Sequence, residues 1–156
     1  MYKHVLIPTD GSELSGNAIE HGVALAKAIN AKVTALTVST PFHTFAVEPG
    51  MVTDTLDQYK KRTADLAAKY LAVATDAAAA LDVTCDVLQI EHDHPYQAII
   101  NTAEKQGCDA IVMASHGRRG ISAIVLGSET VKVLTHSAIP VIVVRGQRPG
   151  AFFAAS

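Results

Sequence analysis

The chain has only two cysteines among 156 residues, no apolar run of membrane-spanning length and no marked excess of either charge. Cys85 and Cys108 form no CxxC pair and have no histidine at metal-finger spacing, which argues against a disulfide framework or a zinc finger. Both read as small buried apolar residues. The longest apolar runs, "AIVMA" and "IPVIVV", are too short to cross a bilayer, and "MYKHVLIPTD" lacks the apolar core of a signal peptide. No membrane insertion and a cytoplasmic location are therefore expected. A net charge of −2 and a pI near 6.4 give no global pull on nucleic acid. No nucleic-acid partner is expected, and any polyanion site must be local. Repeats and low-complexity linkers are also missing, as are the "GK[ST]" of a Walker A loop and the spacing of a Rossmann fingerprint.

What is present is a globular composition, 49% hydrophobic and 18% charged, long enough for one substantial core. One domain is expected over residues 1–146, followed by a tail at 147–156 without clear structure. "KHVLIP" reads as a strand running through "TDGSELS" into a helix, in which Ala18, Ile19, Gly22, Leu25, Ala26 and Ile29 form a stripe that Asn30 ends. "AKVTALTVST" is β-branched and reads as the second strand. "PFHTFAVEPGMVTD" reads as an irregular loop, a lid or interface segment. A long helix is expected from about Asp54 to Leu81, with Leu56, Tyr59, Thr63, Leu66, Tyr70, Ala74, Ala77 and Leu81 on its buried face. Strand "VTCDVLQIE", a helix from Pro95 to Gly107, strand "CDAIVMAS", helix "SETVKVLTHS" and strand "IPVIVVR" complete the order.

Such alternation requires parallel strands joined by right-handed crossovers, which makes an α/β, doubly wound, five-stranded sheet with helices on both faces. Ligands in such sheets sit beyond the carboxyl ends of the strands, where the winding reverses. If the first and fourth strands are neighbours there, the loops "PTDGSELS" and "ASHGRRGISAIVLGSET" line the site. In the second loop, glycines allow close approach of backbone to a ligand, and the first N–H groups of the following helix have no partner inside it. Ser128 can cap that helix or bond a phosphate oxygen, and Arg118 and Arg119 can add positive charge. The residues taken alone allow either an anion loop or a solvated basic turn.

Several motifs, "HVLIPTDGSELS", "VTALTVS", "CDAIVMASHGRRG" and "VLGSETVKVLTHSAIPVIVV", occur in an order and spacing that resemble the universal stress protein family over nearly the whole chain. The resemblance implies strand order 3-2-1-4-5 and a homodimer through the last strand, Pro140 to Arg145. It also implies an ATP site with Mg²⁺ at the phosphates, in a regulatory stress-response module. The ATP-binding branch carries glycine, two residues, glycine, nine residues, then glycine and serine or threonine. Gly117, the spacer Arg118 to Leu126, Gly127 and Ser128 match it, whereas Ala114 stands where the first glycine is expected. By position, Pro8, Thr9 and Asp10 would line the adenosine, Val38 would read the adenine edge and Met113 would pack on the ring. Ser115, His116, Arg118, Arg119 and Glu129 complete the implied site, with His116 orienting the loop or touching a phosphate. Two alternatives stay open: a slow ATPase or self-phosphorylating enzyme using the same pocket, and a nucleotide-free dimer that binds partners.

The same residues also have structural readings. Asp10 can be a helix N-cap, since "DGSE" has the spacing of a capping box, and Val38 and Met113 can be core. His92 and His94, with His43, have a spacing that can hold a metal. A polar turn before a helix is the preferred reading. The apolar last strand is read as an edge that pairs with its mate, because a bare one invites aggregation.

Overall fold

Val5, Leu6 and Ile7 have no accessible surface at all, so the strand that carries them needs cover on both faces. The computed structural model, which describes residues 1–45, 55–117 and 125–146, provides it. The elements run β1 (His4–Pro8), α1 (Glu13–Ile29), β2 (Lys32–Ser39), α2 (Phe42–Phe45), α3 (Leu56–Ala80) and β3 (Cys85–Glu91), then α4 (Pro95–Lys105), β4 (Ala110–Ala114), α5 (Ser128–His136) and β5 (Val141–Val144). Every strand pairing is parallel and the order is β3-β2-β1-β4-β5, as expected from the alternation and the family resemblance.

Strand side chains alternate between faces, and the core divides accordingly. Val5, Ile7, Val33, Ala35, Ala110 and Val112 pack with α1 and α3, while Leu6, Leu36, Ile111 and Met113 pack with α4 and α5. Gly22 lets α1 lie against the sheet, since a Cβ there would stand 2.5 Å from Ile7 Cδ1. Helix α1 starts on Ser12, whose side chain accepts from Ser15 N–H, and stops at Asn30 in the left-handed conformation, φ 54°. The cap is thus Ser12 rather than Asp10. Asp10 accepts the Ser12 N–H one turn earlier, because it already lies in the tight turn at Gly11.

Three expectations change. Part of the segment after β2 is helical: α2 sets Phe42 against Tyr59 with ring centroids 5.3 Å apart, and the remainder of the expected lid, 46–54, lies outside the described residues. The buried face of α3 is Tyr59, Ala67, Leu71, Ala74 and Ala78, whereas Leu56, Leu66 and Leu81 are exposed. Alanines let this helix approach its neighbours closely, with Leu71 the one leucine buried among them, and Leu56, Leu66 and Leu81 are left outside. Cys108 is buried, with its thiol pushed up to about 11 by burial, but Cys85 is only half-buried on the edge strand β3. His43 pairs with Asp93 at 3.3 Å and His92 accepts the His94 N–H, so these groups form a polar turn. No metal-ligating cluster occurs among the described residues.

His4 is a buried titratable group at the start of β1, 4% exposed, with Nε2 2.7 Å from Thr34 Oγ1. Burial first, then the Lys32 charge, holds its pKa below the ordinary 6.5, against the Gln106 backbone and the Asp109 and Asp86 carboxylates. The unfolded chain takes up a proton as pH falls through 6.5 while the folded chain resists, so stability present above that value is lost below it. His4→Gln is therefore expected to flatten the decline of the urea midpoint between neutral pH and about pH 5. Equal slopes in the two chains would assign the acid sensitivity elsewhere.

Candidate functional site

Strand β1 is central, paired with β2 on one side and β4 on the other, so the winding reverses between β1 and β4. The chains leaving these two strands separate at their carboxyl ends, where a crevice forms. Pro8, Thr9 and Asp10 enter it from β1, and Ala114, Ser115, His116 and Gly117 from β4. The two loops meet at Gly117. A Cβ on it would stand 2.4 Å from Asp10 Oδ2, so only a residue without a side chain lets the Asp10 carboxylate lie there.

The loop between Gly117 and Gly127 is tied at its neck. Gly127 N–H donates to the Ser115 carbonyl at 2.8 Å, and a Cβ on Gly127 would lie 3.0 Å from His116 Cα. Ser115 in turn donates its N–H to the Val144 carbonyl of β5, 2.9 Å away. Gly127 is also the N-cap of α5, and it offers no side chain to the helix's first N–H groups. Ser128 is the first helical residue rather than the cap, with its side chain exposed. The backbone N–H groups and helix dipole at this end favour an anion.

Two threonine hydroxyls fix the strand ends. Thr37 donates to the Thr9 carbonyl at 3.1 Å and Thr130 to the Ala114 carbonyl at 3.0 Å. Thr9 Oγ1 lies 3.0 Å from Ser15 Oγ, and Thr9 N–H donates to Leu36 O. The ring of Tyr70, from α3, lies over Gly11, whose φ of +76° no L side chain adopts without strain. Thr37, Thr130 and Ser15 escape the sequence reading, which gives Tyr70 only as part of the buried face of α3. Only Gly11, beside Asp10, marks the turn in advance.

The remaining expected residues separate by layer. Met113 is 6% exposed within the α4–α5 layer, and Val38 packs against the same layer half-buried. Ala114 is buried in the opposite layer, its methyl group among Val112 and Val144. His116 is half-buried with Nδ1 3.2 Å from Ser115 Oγ. Glu129 turns to α4, accepting Tyr96 N–H at 2.9 Å and pairing with Lys132 at 3.1 Å. Arg118 and Arg119 lie outside the described residues. The structure thus brings Pro8, Thr9, Asp10, Ser115, His116, Gly117, Gly127 and Ser128 together at one crevice, and directs Glu129 away toward α4.

Sequence and structure comparisons agree with this architecture. The chain is 30% identical over 147 residues to Universal stress protein MJ0531 of Methanocaldococcus jannaschii, covering 93% of this chain and 83% of that one. The solved structure of MJ0577, from the same organism, superposes with a TM-score of 0.77 at 28% identity, covering 95% of this chain and 99% of that one. A universal stress protein crystallised with cAMP shares the fold, with a TM-score of 0.65 at 22% identity over 94% of this chain and 98% of that one. The family model for the "Universal stress protein family" matches residues 1–145. A match of that extent, on a sheet of this order with its crevice between β1 and β4, means that the chain belongs to the universal stress protein family.

Proposed function

We propose that the chain binds ATP at the β1–β4 crevice and acts as a nucleotide-responsive regulatory module in stress physiology. The observation that carries this reading is the meeting of two glycines with the start of a helix: Gly117 against Asp10, and Gly127 against His116 at the N-terminus of α5. That end of α5 would take the phosphates on its free N–H groups, with the Ser128 hydroxyl beside them. Arg118 and Arg119 would supply countercharge. Asp10 would face the ribose or adenine, and Val38 and Met113 would border the ring. The cAMP complex of a relative with the same fold supports an adenine nucleotide as ligand.

Magnesium fits as a companion of the phosphates. Because the described residues hold no cluster of three His, Cys, Asp or Glu side chains, phosphate oxygens and water would supply most of its ligands. The homodimer would form through β5, the free edge of the sheet, where Ile142 is 41% exposed and α5 adds Val131 and Leu134 at 45% and 41%. Isothermal titration of the folded chain with ATP and Mg²⁺ is expected to give a saturable event that Gly127→Val removes. No heat of binding up to millimolar ATP would overturn the proposal.

A further inference from the structure

A second concavity, of about 380 Å³, opens at the other end of the sheet, where the strands begin. Lys3, the end of α1 with Lys27 and Asn30, Lys32 at the start of β2, and Asp82 and Thr84 of the α3–β3 turn line it. Its size falls in the range of small-ligand sites. Three lysines line it, with Asp82 the one carboxylate among its lining residues. None of the three has an ion-pair or hydrogen-bond partner for its ammonium among the described residues.

Lysines gather at helix C-termini for a simpler reason, because the last carbonyls are unsatisfied and the dipole is negative there. Here some of those carbonyls are already taken. Asn30 and Ala31 N–H groups donate to Ala26 and Lys27, and Leu81, Asp82 and Val83 N–H groups donate to Ala78 and Ala79. What remains is the dipole, about half a charge at each of two helix ends, and two carboxylates, Asp82 in the lining and Asp109, whose Oδ2 accepts the Lys3 N–H at 2.8 Å. The field of Lys32 reaches the interior, where it helps to hold His4 and Cys108 toward lower pKa values than burial and their other neighbours set.

We propose that this cleft binds a compact polyvalent phosphate anion, the chemistry shared by inorganic tripolyphosphate and the phosphate tail of a nucleotide. Its walls are two turns, each built on a residue in the left-handed conformation, Asn30 at φ 54° and Asp82 at φ 55°. Lys3, Lys27 and Lys32 approach from three different elements, so an anion with charges several atoms apart engages more of them than a monovalent ion does. The site is independent of the β1–β4 crevice and lies on the opposite edge of the strands.

Amide NMR of the full chain during titration with sodium tripolyphosphate tests the proposal. Saturable movement of the Lys32, Asp82 and Thr84 amides is expected, weakened more than about tenfold in a Lys27→Ala, Lys32→Ala double variant. Both lysines are exposed, so the remaining spectrum should match wild type, and a Lys27→Arg, Lys32→Arg variant should restore binding. Movement of the same amides by ATP in a Gly127→Val background would support the nucleotide tail as the source, and movement by tripolyphosphate alone the inorganic one. Still amides at millimolar tripolyphosphate, equal movement by sulfate at matched ionic strength, or unchanged affinity in the alanine variant would overturn it.

Discussion

Gly127→Val is expected to abolish ATP binding at the β1–β4 crevice in isothermal titration, a loss of more than about a hundredfold there, while thermal unfolding and sedimentation stay close to wild type. The backbone angles do not forbid valine, since φ is −62° and ψ 152° at this N-cap. The obstacle is space. A Cβ on Gly127 would lie 3.0 Å from His116 Cα, 3.1 Å from His116 Cβ and 3.5 Å from the Ser115 carbonyl. The first of these is backbone and cannot rotate away, so the two sides of the loop's neck must part. Parting them stretches the 2.8 Å hydrogen bond from Gly127 N–H to Ser115 O and shifts the first turn of α5. Under the proposed function, that turn holds the phosphates.

Gly127→Ala adds one methyl group at the limit of tolerated contact and should fall between wild type and valine. The order matters because a purely electrostatic loop would respond alike to both substitutions. Wild-type affinity in the valine variant, with the fold intact, would place the phosphates elsewhere.

Leu71→Ala is expected to cost about 3 kcal/mol of stability, within the usual range for a buried leucine, and Leu66→Ala less than about 0.5 kcal/mol. Urea unfolding of the two variants measures both values. Leu71 is 7% exposed and packs in the core layer beneath α1 and α3, whereas Leu66 is 41% exposed. In a domain of this size, the larger loss should lower the melting temperature by about 10 °C. Similar losses at both positions would return α3 to the face expected from sequence.

That contrast also marks where sequence patterning stops being informative. A run such as "ADLAAKYLAVATDAAAA" places apolar residues on more than one helical face. Periodicity weighs leucine and tyrosine above alanine, yet Ala67, Ala74 and Ala78 are buried because small side chains permit close packing. The strands were easier to read. β1, β2 and β4 each carry apolar residues toward both faces, and turn formers or polar residues bound them. Their spatial order came from the family resemblance, since alternation alone requires parallel strands without ordering them.

For the site, Gly117, Gly127 and Ser128 were legible because their spacing repeats a family motif. Their geometry was not. Nothing local tells Gly117 that its neighbour will be Asp10, a residue from the first loop, or places Tyr70 over Gly11. The same holds for Thr37 and Thr130, whose hydroxyls meet carbonyls on other elements. Glu129 illustrates the converse: its position suggested the site, but its carboxylate found the open N-terminus of α4, at Tyr96 N–H.

Ser115 belongs to two neighbourhoods at once. Its N–H donates to Val144 at the end of β5, while its carbonyl accepts Gly127 N–H at the neck of the loop. The two peptide groups flanking one residue therefore join the outermost strand to the crevice, and the deuterium exchange of the Ser115 N–H is a gauge of both. Fraying of the strand frees this N–H directly, and opening of the neck frees it by releasing the residue that holds it. A clamp on either side slows the same exchange, so one slow amide would report whether events at the sheet's edge are felt between β1 and β4.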